Sequence, residues 1–129
     1  MHVLVVDDNA INLKLMRVAL EAEGYQVQAA VDAEEALRIL KTSRPDLILL
    51  DIQLPGMDGL DLARMLKADE ATRGVVILAV TAYAMKGDRD KALDAGCDGY
   101  IAKPIDVLAL PRIIEDALSR HSRSQITGV

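Results

Sequence analysis

Asp7 and Asp8 follow the apolar run VLVV, Asp51 follows LILL, Thr81 follows VILAV, and Lys103 with Pro104 follows the short YIA stretch. Each polar group thus stands at the end of a segment that reads as a buried strand. If those strands run parallel in one sheet, three carboxylates, one hydroxyl and one ammonium arrive at the same edge. Carboxylates held close together repel one another, so such a cluster makes sense as a seat for a hard divalent cation near which one of them reacts. Asp51 stands out, because it lies between four apolar residues and Ile52. Burial there is costly unless the carboxylate is matched by a cation. Taken singly, Asp7 or Asp8 is an ordinary opening of a helix, Thr81 an ordinary cap and Lys103 an ordinary solvated lysine. The convergence of all five is what points to chemistry.

The elements that bring them together are legible as an alternation of short apolar runs with longer segments at helical spacing, the pattern of a parallel sheet covered on both faces. Strands are expected at residues 2–6, 26–30, 46–50, 75–80 and 98–102. The first helix is expected from Ala10 to Glu23, capped by Asn9 and stopped by Gly24, with Ile11, Leu15, Val18, Ala19 and Ala22 facing the sheet. A second runs from Ala33 to Thr42 after an Asp32 cap, burying Ala36, Leu37 and Leu40. A third follows the PGMDG turn with Leu60, Ala63 and Leu66 inward. A fourth, from Ala84 to Ala95, is the least apolar and presents a solvated face. The last spans Asp106 to His121, although Pro111 requires either a later start or a lost hydrogen bond. Methionines 16, 57, 65 and 85 read as core and turn packing, Cys97 as a small buried residue. The expectation is an α/β fold, a doubly wound five-stranded parallel sheet with five helices. One domain covers residues 1–121, and residues 122–129 form a flexible C-terminal tail. In open parallel sheets right-handed crossovers set all strand C-termini along one edge, where ligands collect.

Composition narrows the function classes. The chain has 129 residues, enough for one core, with 51% hydrophobic residues but no Trp or Phe and only Tyr25, Tyr83 and Tyr100. A net charge of -5, a pI near 4.9 and the lack of a long Lys/Arg run argue against direct nucleic-acid binding. No apolar stretch approaches the roughly 18 residues that span a bilayer, and the single cysteine makes no internal disulfide. These features lead us to expect a cytoplasmic protein with no membrane contact.

The motifs VLVVDDN, DLILLDIQLPGMDG, AVTAYA and DGYIAKP occur in the order and spacing found in one family. The sequence resembles the receiver domain of two-component response regulators and is chemotaxis-regulator-like. The resemblance implies the flavodoxin-like strand order 2-1-3-4-5. It implies that Asp51 is the phosphoacceptor, taking a phosphoryl group from a histidine kinase or histidine phosphotransfer protein. It further implies that Asp7, Asp8, Asp51 and the backbone carbonyl of Gln53 hold Mg2+, with Mn2+ able to substitute. Lys103 and Thr81 then bind the phosphoryl oxygens, Tyr100 is the switch aromatic, and Gln53 and Tyr83 tune hydrolysis. The Lys103–Pro104 bond is implied to be cis. Such a protein catalyses its own phosphorylation and dephosphorylation only. It signals to a downstream protein partner through the surface of the fourth helix, fifth strand and fifth helix, as a monomer or weak dimer. Neighbouring positive charge is expected to keep Asp51 ionised near neutral pH.

One departure limits the resemblance. Ile105 stands where dimerising receivers carry Phe after Lys-Pro, which weakens any specific dimer assignment. DDNAIN, TAYAMKGD and AGCDGYIAKPI resemble most the receivers of phosphorelays. Two rivals share parts of the pattern. A haloacid-dehalogenase-like phosphatase needs a second Asp two residues after the nucleophile as general acid, where this chain has Gln53. A flavodoxin-like flavin binder needs hydroxyls and glycines after the first strand, where this chain has DDNAIN.

Overall fold

The computed structural model describes residues 1–82 and 86–127; for residue 86 and residues 122–127 it describes the backbone alone. Five strands, β1 (His2–Val6), β2 (Gln26–Ala30), β3 (Leu47–Asp51), β4 (Val76–Thr81) and β5 (Gly99–Ala102), alternate with five helices. These are α1 (Ala10–Glu21), α2 (Ala33–Leu40), α3 (Gly59–Ala68), α4 (Lys86–Asp94) and α5 (Leu110–Thr127). All strand pairs are parallel, in the order β2-β1-β3-β4-β5, as expected. The chain order reverses between β1 and β3, which creates the crevice at the C-terminal edge.

The central strands bury both faces, so alternate residues feed two separate cores. Leu4, Val6, Ile48, Leu50, Ile77 and Ala79 pack against α2, α3 and α4 on one side. Val3, Val5, Leu47, Leu49, Leu78 and Val80 pack against Met16 and Leu20 of α1 and Leu110 and Ile114 of α5 on the other.

The structure corrects the α1 face. Met16 and Leu20 are buried and Leu13 packs beside them, while Ile11, Leu15 and Val18 are 70%, 51% and 59% exposed. The helix has apolar residues around most of its circumference, so its period supports two stripes and packing selects one. Met57 and Met65 are likewise exposed, unlike Met16. Gly24 stops α1 with φ +89°, and Asn9 and Asp32 cap their helices by accepting from Ile11 and Asn12 N–H and from Glu35 N–H. The last helix starts late, at Leu110, which puts Pro111 in its first turn where no intrahelical donor is required. It continues to Thr127, six residues beyond the expected end. Residues 84 and 85 and Met85 in particular lie outside the described residues, as do residues 128 and 129.

At the N-terminal edge of the sheet a polar clip ties α3 to β4 and β5. The Lys67 ammonium donates to the carbonyls of Arg73 and Val75 at 3.2 and 2.8 Å and to Asp98 Oδ2 at 3.0 Å. Asp98 Oδ2 also accepts the Ile77 N–H at 2.8 Å, and the Asp98 N–H returns a bond to the Ile77 carbonyl at 2.7 Å. All three lysine donors are thereby used.

Candidate functional site

At the opposite edge the strand register fixes the site. Val6 is level with Leu50, so Asp7 and Asp51 leave adjacent strands side by side. Thr81 is level with Ala102, and the Lys103 N–H donates to the Thr81 carbonyl at 2.7 Å. Oxygens of Asp7, Asp8 and Asp51 lie within 4.8 Å of one another. Asp7 and Asp51 are 1% and 3% exposed, Thr81 is equally buried, and Asp8 is exposed.

Hydrogen bonds aim the carboxylates. Asp51 Oδ1 accepts the Gln53 N–H at 2.9 Å, and Oδ2 accepts the Lys103 ammonium at 3.1 Å. Asp7 Oδ1 accepts the Asn9 N–H at 2.8 Å. Asp7 Oδ2 is 3.6 Å from the Lys103 nitrogen, an ion pair too long for a hydrogen bond, and has no hydrogen-bond partner although it is buried. One ammonium therefore lies against two buried carboxylates, in a cluster that holds a third, Asp8. Two unit charges about 4.8 Å apart repel by on the order of 3 kcal/mol at an effective dielectric near 20, so a second cation is electrostatically favoured.

The titration behaviour follows. Burial pushes the Asp51 carboxyl above its usual range, outweighing the Gln53 N–H and Lys103, and the nearby Asp7 adds to the push. For Lys103 burial disfavours the charge, but the hydrogen bond and charge of Asp51, with Asp7 behind, outweigh it and raise the ammonium above its usual value. The sequence-based expectation that neighbouring positive charge keeps Asp51 ionised is therefore only partly met by Lys103. The donor set, all oxygen with one orphaned buried atom, fits Mg2+, a hard cation bound through few carboxylates and several waters.

Of the other expected site residues, Gln53 is exposed and contributes its N–H to Asp51. The Lys103–Pro104 bond is cis. Tyr100 lies half-buried in β5 with the Arg89 guanidinium 4.9 Å from its ring centroid. Tyr83 lies outside the described residues.

Sequence reasoning missed Gly59. Its N–H bonds to the Ile52 carbonyl at 3.2 Å, and a Cβ there would stand 2.4 Å from the Asp51 carbonyl oxygen and 2.6 Å from Ile52 Cα. The first turn of α3 thus lies directly on the backbone that carries Asp51, an approach only glycine permits. The Asp-Gly pair at 58–59 was the available signal, and Asp58 caps the helix by accepting the Leu60 N–H. Beside Lys103 an open groove of about 460 Å3 is lined by Asn12, Leu15, Met16, Pro104, Ile105 and Val107.

The family described as response regulator receiver domain matches residues 3–115. The polar-differentiation response regulator DivK of Brucella anthropi is 47% identical over 113 residues, 88% of this chain and 89% of that protein. The chemotaxis response regulator CheY4 of Vibrio cholerae superposes with a TM-score of 0.85 at 25% identity, over 90% of this chain and 97% of that one. The receiver domain of a sensor histidine kinase from Pseudomonas aeruginosa, solved with a magnesium ion coordinated in its active site cleft, superposes with a TM-score of 0.83. It is 37% identical, over 92% of this chain and 97% of that one.

Proposed function

The chain belongs to the response regulator receiver domain family, and from that premise we propose that Asp51 accepts a phosphoryl group from a phosphohistidine on a histidine kinase or phosphotransfer protein. The observation that carries this reading is a buried carboxylate with one oxygen fixed by the Gln53 N–H and the other by Lys103, beside two further acids. Asp7, Asp8 and Asp51, with the Gln53 carbonyl, are the proposed holders of Mg2+. When bound, the ion supplies positive charge that offsets the carboxylates and the incoming phosphoryl oxygens.

The rest is done by the chain. An Asp51 carboxylate oxygen bonds to phosphorus as the nitrogen–phosphorus bond of the donor breaks; the electron pair leaves on the imidazole nitrogen, which takes up a proton. The transition state is loose, with charge on its equatorial oxygens, so alignment and cations are what is required. Lys103, already turned to Asp51, exchanges part of that bond for a phosphoryl oxygen, and the Thr81 hydroxyl donates to another. The apolar groove beside Lys103 offers the donor protein a place to rest while its histidine reaches the edge.

The modification adds about two negative charges and three strong acceptors. Thr81 is drawn toward them and Tyr100 follows into the space it leaves, so two packings of the α4–β5–α5 surface exchange population and a downstream partner reads the result. Gln53 and Tyr83 set how readily water reaches the aspartyl phosphate. Asp51→Ala should abolish labelling by acetyl phosphate with Mg2+, whereas Thr81→Ala should be labelled yet fail to change partner affinity. Stoichiometric labelling that persists in Asp51→Ala refutes the assignment.

A further inference from the structure

α4 is held to the sheet by little apolar surface. Of its described side chains only Ala92 is buried, and its sequence is dominated by charges. Against that thin attachment stands the Arg89 guanidinium, 4.9 Å from the centroid of the Tyr100 ring. Arg89 is exposed, and no ion pair to it is found among the described residues, so the ring face is its described partner. Planar guanidinium groups stack well on aromatic faces, and such contacts retain some strength at exposed sites because the guanidinium is weakly hydrated. Tyr100 also packs against the cluster that contains Ala92, Ala95 and Cys97.

We propose that Arg89 is a positioning residue that clasps Tyr100: by stacking on the ring from α4 it holds the aromatic at the surface and opposes its move toward Thr81. This rests on the switch roles proposed above for Thr81 and Tyr100. The clasp sets the threshold of the switch. Phosphorylation must supply enough interaction at Thr81 to draw the ring away from the guanidinium, and weakening the stack lowers that requirement without touching Asp51, Lys103 or the acids. It also couples α4 to β5 directly, so release of the ring loosens one of the few ties of the helix.

The test uses beryllofluoride, a tetrahedral mimic of a phosphoryl group, titrated with Mg2+ into the wild type and variants and followed by amide resonances. Arg89→Ala should bind it about two- to five-fold more tightly, the range of an exposed cation–π contact, and Arg89→Lys should fall between. In a Tyr100→Leu background the Arg89→Ala change should have no effect. Without beryllofluoride, cross-relaxation between the Tyr100 ring and the Thr81 methyl should grow in Arg89→Ala. Equal affinity in wild type and Arg89→Ala, or an equal gain with Tyr100 replaced, overturns the clasp alone. A wild type that does not bind beryllofluoride overturns the switch reading, and the clasp with it.

Discussion

The sheet carries a lysine among acceptors at each end, and the two clusters differ in balance. At the N-terminal edge Lys67 spends three donors on two carbonyls and Asp98, and Asp98 is itself held by the Ile77 N–H. At the C-terminal edge Lys103 pairs with Asp51 and Asp7 beside a third acid, Asp8, and leaves Asp7 Oδ2 without a hydrogen bond. The first is complete and needs nothing further. The second is short of positive charge and of donors, and that shortfall gives it an appetite for ligands. The phosphoryl chemistry proposed for this chain is assigned to the unfinished end.

The comparison breaks most visibly at Lys67. Lys67→Met strips two carbonyls and a carboxylate of their donor and should cost about 2–4 kcal/mol in urea unfolding, with no special recovery on adding Mg2+. Preferential rescue by Mg2+ would erase the distinction between the two ends. Lys103→Met should cost a comparable amount without metal, because it leaves the buried Asp51 without its ammonium, and here millimolar Mg2+ should return most of the loss because a cation binding only the folded state compensates by mass action. Equal losses with and without Mg2+ would count against a cation seat.

Asp51→Asn should stabilise the metal-free protein by about 1 kcal/mol at neutral pH, since it removes a charge that burial disfavours. The sign follows from the raised carboxyl: its contribution to stability is whole below the ordinary value of 3.8 and is lost as pH rises through the higher folded value. The advantage of the variant over wild type in thermal melts should therefore grow with pH across that window and shrink when Mg2+ is added. The smallest effect is expected at Cys97, next to the Lys67 clip, where burial pushes the thiol up to about 11 from 9.0. It should resist alkylation near pH 8 while folded and react once Lys67→Met or urea opens the clip. Its stabilising contribution is full below 9.0 and lost as pH rises through about 11.

The sequence made some features plain and hid others for physical reasons. Buried parallel strands read as uninterrupted apolar runs, so β1, with every residue after His2 buried, was located to the residue, and caps such as Asn9 and Asp32 announce themselves chemically. That Asp7, Asp51, Thr81 and Lys103 meet at one edge was legible because each stands at or just past a strand end and parallel strands end together. The buried side of α1 was not, since Ile11, Leu15 and Val18 form as good a stripe as Leu13, Met16 and Leu20. The Lys67–Asp98 clip was invisible for another reason: each partner alone looks like surface charge, and the backbone carbonyls that complete it carry no sequence signal. The proximity of Gly59 to Asp51 likewise emerges only when α3 is docked.

That contact at Gly59 divides the loading edge into fixed and adjustable parts. With α3 resting on the main chain of Asp51, no side chain fits at position 59 without displacing the helix. On the aspartyl-phosphate reading proposed above, the side chains free to alter its lifetime are those at the solvent-facing rim, such as Gln53.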